Sequence, residues 1–187
     1  MPVPRILIAL LVLPQALNVA SAKDIDCASL LPGGAKVAIS RAFPAYRLPV
    51  STDNLEEDIE AHRKFGGTDC LGIATGIVKG RNEAVAALIR KVGGSGTLLV
   101  VAHKSAAKWQ VELLRDWGSS GDKRLYVEAL EPGSYQRTPA LDGPADEPGE
   151  LLAYVSRSPG LLSGLTESSG VAYFFNGSKW VHVWVSD

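Results

Sequence analysis

Histidine, cysteine, long apolar runs and charge of one sign are all scarce in this chain, and each scarcity excludes something. Three histidines (His62, His103, His182) and two cysteines (Cys27, Cys70) are spread over 187 residues. Two cysteines this far apart form no C-x-x-C pair, and no histidine lies beside either one, which argues against a redox motif or a zinc cluster. The histidines are too widely spaced for an H-E-x-x-H site, so no metal and no cofactor is expected. No serine lies in a G-x-S-x-G elbow. The glycine-rich stretch Gly93 to Gly96 lacks both the P-loop Lys-Ser/Thr and the full dinucleotide fingerprint.

The longest apolar run, Ile6 to Leu13, is eight residues, whereas a membrane-spanning helix takes about 20. Arg5 precedes it and Ala20-Ser21-Ala22 follows, the order of a cleavable secretory signal. Met1 to Ala22 is therefore expected to be removed, leaving residues 23–187 as one globular domain. Arg5 is the leader's only charge, so the remainder carries 18 Lys and Arg against 20 Asp and Glu, a net −2. A nearly neutral chain without basic runs points away from nucleic acid and from anionic membrane surfaces. Asp24-Ile25-Asp26 before Cys27 does not fit a lipoprotein signal. The expected location is the periplasm or the outside of a bacterial cell. In an oxidising compartment, two cysteines read as a disulfide between Cys27 and Cys70.

What is present is mostly strand. Lys36 to Ser40 alternates and reads as a short strand, and Phe43 to Pro49 is extended by its prolines. One principal helix is expected over about 53–65. Asp53 and Glu56 resemble a capping box, Leu55, Ile59, His62 and Phe65 form one face, and Gly66-Gly67 is the stop. Strands follow over 70–78, 83–92, 97–103, 108–116, 124–130 and 151–156. Residues 171–175 and 179–185, joined at Asn176-Gly177, read as a hairpin. Residues 131–150, rich in Pro and Gly, read as a long exposed loop. The fold class is α+β: a mainly antiparallel sheet of about eight strands with one principal α-helix.

The segment Ala74 to Leu88 (ATGIVKGRNEAVAAL) resembles the calcium loops of secreted FG-GAP and dockerin-type proteins, with Gly76, Gly80 and Glu83 in frame. Ile77, Lys79 and Arg81 stand where such loops carry aspartates. The resemblance thus implies a loop that has lost its calcium ligands. Read from its residues alone, the segment is a strand-turn-strand with a basic turn.

Candidate sites come from the histidines, the acids and the aromatics. His103 ends a core strand just before Lys104-Ser105 and is the residue a small exported hydrolase would use. Glu112 and Asp116 on one strand, with Glu128 and Glu131 on the next, are candidate paired carboxylates. Trp180, His182 and Trp184 share one face of the last strand, with Val181, Val183 and Val185 on the other. If the valines meet the core, the Trp-His-Trp stripe is free to bind a partner. Large aromatics more often bury, which would make the stripe packing. With Tyr135 from the long loop, these residues are the expected contact surface of a protein-binding module, of the inhibitor or immunity type. The alternatives are a hydrolase built on His103 and a structural envelope component held by strand pairing at a sheet edge.

Overall fold

The computed structural model describes residues 25–119 and 123–186; the leader read at residues 1–22 lies outside them. The described residues open with a 3-10 turn at Cys27–Leu30, where the Asp26 carboxylate accepts the Ala28 N–H at 3.0 Å. Helix α1 follows at Gly33–Ala42, where the sequence pattern had indicated a strand over Lys36 to Ser40. The correction has a packing reason. Ala35 and Ile39, four residues apart, are buried in one stripe, while Val37 between them is 62% exposed. Helical spacing explains that burial and alternation does not. The two-residue strand β1 is Tyr46–Arg47.

Helix α2 spans Glu56–Lys64, shorter than expected and beginning after Asp53. Asp53 ends its own 3-10 turn, Ser51–Asp53, where its carboxylate accepts the Val50 N–H and pairs with Arg47. It is therefore not free to cap α2, which starts at Leu55 without a side-chain cap. Of the expected apolar face only Ile59 is buried, and Phe65 is 91% exposed. The described residues thus hold two α-helices rather than one.

The strands continue as β2 Ile73–Lys79, β3 Asn82–Lys91, β4 Thr97–Ser105, β5 Lys108–Gly118, β6 Leu125–Leu130, β7 Gly133–Gln136, β8 Ala153–Ser156, β9 Gly160–Leu165, β10 Gly170–Phe175 and β11 Trp180–Ser186. That makes eleven strands among the described residues in place of about eight. The segment resembling a calcium loop is the β2–β3 hairpin, turning at Gly80 and Arg81. Strand β7 lies inside the stretch 131–150 expected to be loop. Strand β9 lies in a stretch to which the sequence reading assigned no element, and its Gly160, Ser163 and Gly164 are not the β-branched and aromatic residues that mark a strand. Small residues are needed there: a Cβ on Gly164 would overlap the Ser169 carbonyl, and one on Gly160 would lie 2.5 Å from the Phe174 ring.

All pairings between these strands are antiparallel. The first sheet runs β1-β3-β4-β5, with β2 also on β3; the second runs β11-β10-β9-β6; β7 and β8 form a ribbon. They stack in layers. Helix α1 packs on one face of the first sheet, through Ala35, Ile39, Val85, Ile89 and Val100. The other face, through Ala86, Leu88, Leu99 and Val101, meets Leu125, Leu161 and Val171 of the second sheet. The ribbon covers the outer face of the second sheet over Phe174 and Val181. Strands buried on both faces read as continuous apolar runs, which is why β3 carried no clear alternation.

The same layering answers the question posed by the last strand. Val181 and Val185 face the ribbon, while Trp180 and Trp184 pack toward the first sheet, so both faces of β11 are covered. The β10–β11 hairpin turns over four residues, 176–179, since Phe175 pairs with Trp180. The Asn176 side-chain oxygen accepts the N–H groups of Ser178 and Lys179, both at 3.0 Å.

The disulfide joins Cys27 and Cys70, as the cysteine count indicated. No described helix is long and apolar enough to cross a membrane.

Candidate functional site

Along one open side of the two-sheet core, β5 faces β11 and residues 146–150. Two polar groups of the same composition line this side, each a buried histidine beside a glutamate and a cation. In the first, His103 comes from β4, Lys79 from the end of β2 and Glu112 from β5. Lys79 forms an ion pair with Glu112 and lies 3.2 Å from His103 Nε2, which is itself 3.4 Å from Glu112 Oε1. Trp180 Nε1 donates to Glu112 Oε2 at 2.8 Å. The Lys79 ammonium also sits over the Phe175 ring, 5.1 Å from its centre. A donor, Lys79, and an acceptor, Glu112, both face Nε2, while Nδ1 is buried with no partner among the described residues.

In the second group, Arg115 of β5 makes a bidentate pair with Glu147, at 3.0 and 3.1 Å. Its guanidinium lies over both Trp117 and Trp184, 4.8 Å from each ring. Such stacking suits a planar, weakly hydrated cation. Glu147 Oε2 is in turn 3.2 Å from His182 Nε2. Between the walls is a cleft of about 390 Å³, lined by Leu114, Arg115, Glu147, Pro148, Trp180 and His182.

The loop wall is fastened to β11. The His182 N–H donates to the Gly149 carbonyl and the Leu151 N–H to the His182 carbonyl, at 2.9 and 2.8 Å. Glu150, its side chain 1% exposed, lies 2.9 Å from Arg137 and accepts the N–H groups of Asp146 and Glu147.

Burial lowers the proton affinity of both histidines; Lys79 adds to this at His103, and at His182 Glu147 opposes it. Burial alone would raise the Glu112 and Glu147 carboxyls, but hydrogen bonds from Lys79 and Trp180, and from Arg115, outweigh it and hold both low. Burial pushes the Tyr173 hydroxyl up to about 12.

A histidine with a depressed folded value stabilises the fold above its ordinary value of 6.5. That stability is lost as pH falls from 6.5 toward the folded values, because the unfolded chain takes the proton first. The unfolding free energy from urea titration is therefore expected to fall between about pH 7.5 and pH 5.5, by at most about 1.4 kcal/mol per pH unit for each histidine. The His103→Gln, His182→Gln double variant should flatten that slope.

Trp180 and His182 thus line one cleft, and Trp184 adjoins it through Arg115, which lies over its ring. Tyr135 does not join them. It lies across the second sheet, its ring 4.7 Å from Phe174 and its hydroxyl donating to the Glu131 carbonyl. His103 sits at the same open side, deeper than Trp180. Of the candidate carboxylates, Glu112 belongs to the first sheet and Glu128 to the second.

Lys79, Arg115, Trp117 and Glu147 escaped the sequence reading. Register shifts in the β4–β5 pairing leave Leu114 and Trp117 without a directly opposed partner and reset which side chains face inward. Glu147 sits in an irregular segment with no period to read.

No known protein family matches this chain, nor does any curated protein or solved structure. The fold and the cleft define its class: a disulfide-linked, layered α+β protein with an aromatic, ion-paired cleft at the open side of its core.

Proposed function

We propose that this chain is an exported protein-binding module, of the kind that holds or blocks another protein, and that it meets its partner at the cleft between β5 and β11. The observation that carries the reading is the state of Trp180 and Trp184. Both rings are half-buried; Trp180 lines the cleft and is tied by its N–H to Glu112, and Trp184 is stacked on Arg115, which lines the cleft as well. Aromatic side chains already ordered lose little entropy on binding, and centrally placed tryptophans dominate many interfaces. Arg115 and Glu147 add a polar rim.

The test is a crosslinked pull-down from the envelope fraction of the source cell, read by mass spectrometry. One dominant partner is expected. Trp180→Ala with Trp184→Ala should weaken capture by about thirtyfold or more, the effect of losing roughly 2 kcal/mol of binding. Equal capture by a double variant that keeps its circular dichroism spectrum would sink the reading.

A further inference from the structure

A second surface lies on the opposite face of β5, away from the cleft. Helix α1 and β5 border an open groove of about 680 Å³. Its walls are Val37 and Ala38 of α1, and Trp109 and Val111 of β5, with Arg41 and Lys108 at the rim. Gly34 lets the two walls approach, since any Cβ there would collide with the Trp109 indole. No carboxylate lines the groove, and neither Arg41 nor Lys108 makes an ion pair among the described residues.

Strand β5 is also the end of its sheet, with β4 as its only strand neighbour among the described residues. The β4–β5 turn holds two residues between Ser105 and Lys108, which makes those two the hydrogen-bonded pair. Counting outward, the peptide groups of Trp109, Val111 and Leu113 point away from β4. Leu113 is 50% exposed. Residues 108–113 pair with β4 without interruption, so this half of the edge is regular. An unpaired regular edge beside a groove is the arrangement that takes an added strand: backbone bonds hold it, and alternate side chains enter the groove.

We infer that this groove binds an extended acidic segment of another protein, added as a strand along residues 108–113 with its carboxylates at Arg41 and Lys108. A second copy of this chain is disfavoured as the occupant, because it would bring the same two cations to a rim that lacks anions. The inference does not depend on the cleft described above.

The probe is a phage-displayed library of random peptides, about ten residues long, selected on the purified protein. Winning sequences are expected to alternate apolar residues and to carry Asp or Glu. Their synthetic forms should protect the amides of Trp109, Val111 and Leu113 from exchange in nuclear magnetic resonance spectra. Arg41→Glu with Lys108→Glu should weaken binding at least about tenfold, since like charges then face each other. Val111→Pro removes one outward N–H without touching the β4 ladder, a substitution edge strands tolerate, and should abolish binding. Trp180→Ala with Trp184→Ala should leave peptide affinity unchanged, which separates this surface from the cleft.

Any of four peptide results would overturn the inference. They are failure to enrich any peptide, winners lacking acidic residues, unprotected β5 amides, and binding that survives the charge reversal. Concentration-dependent dimers in light scattering that Val111→Pro dissolves would assign the edge to a second copy and overturn it as well.

Discussion

Replacing Cys27 and Cys70 together by alanine is expected to cost about 4 kcal/mol, the loop-closure value for a separation of 43 residues. The closed loop holds α1, β1 and α2, so the bond ties both helices and the start of the chain to the first sheet. Both cysteines are buried, at 1% and 5% exposure, in the cluster with Leu31, Ala35 and Ile39. Without the bond, the first described segment keeps mainly the paired contacts of Ile25 with Ser51, at 2.9 and 3.1 Å. Calorimetry should show Tm falling by roughly 8–16 °C for a chain of this size. Serine at the same positions should cost more than alanine, because it buries two hydroxyls in an apolar cluster. A loss below about 1 kcal/mol would mean that the unfolded chain is not the state the bond constrains.

Glu150→Ala is expected to destabilise by about 3–5 kcal/mol, the usual result of removing one partner from a buried ion pair. Glu150 and Arg137 have side chains 1% and 11% exposed. Loss of the carboxylate leaves the largely buried guanidinium, among the described residues, with the carbonyls of Leu141 and Gly143 alone, at 3.1 and 2.7 Å. It also frees the N–H groups of Asp146 and Glu147. The 137–150 segment then loosens, and with it the Glu147 wall that holds Arg115 and His182. Two readouts follow: the urea midpoint should drop, and the near-ultraviolet dichroism from Trp117 and Trp184 should weaken. Replacing both partners, Arg137→Met with Glu150→Leu, should recover most of the loss, because no buried charge remains unpaired. If the double variant is as unstable as the single, Glu150 acts through its backbone-directed bonds and not through the pair.

The expected pH slope belongs to the same picture. His103 and His182 are buried neutral beside glutamates held ionised by cations, so acid acts first on the histidines and only at lower pH on the carboxylates.

How far the sequence could be read depended on how local each signal was. The run Thr97 to His103 and the alternating arms around Asn176 are β4 and the β10–β11 hairpin because β-branched residues and turn chemistry act over a few residues. The cysteine pairing was legible because only two cysteines exist. The helix over Gly33 to Ala42 was not legible: five of its residues alternate as a strand would, and only the sheet beneath Ala35 and Ile39 selects the helical face. Nor was β9, whose glycines look like loop until Ser169 and Phe174 crowd them.

For the site the division is sharper. The Trp-His-Trp stripe was visible as a pattern on β11. Its surroundings were not, because Lys79, Glu112, Arg115 and Glu147 come from β2, β5 and a loop; Glu112, which is bonded to Trp180, lies 68 positions from it along the chain. Local periodicity, turn residues and residue counts settled the class, most strands and the disulfide. Packing between sheets settled the register at the β5 bulges, the second face of β11 and the partners of both histidines, since burial and ion pairing depend on groups that meet only once the layers have closed.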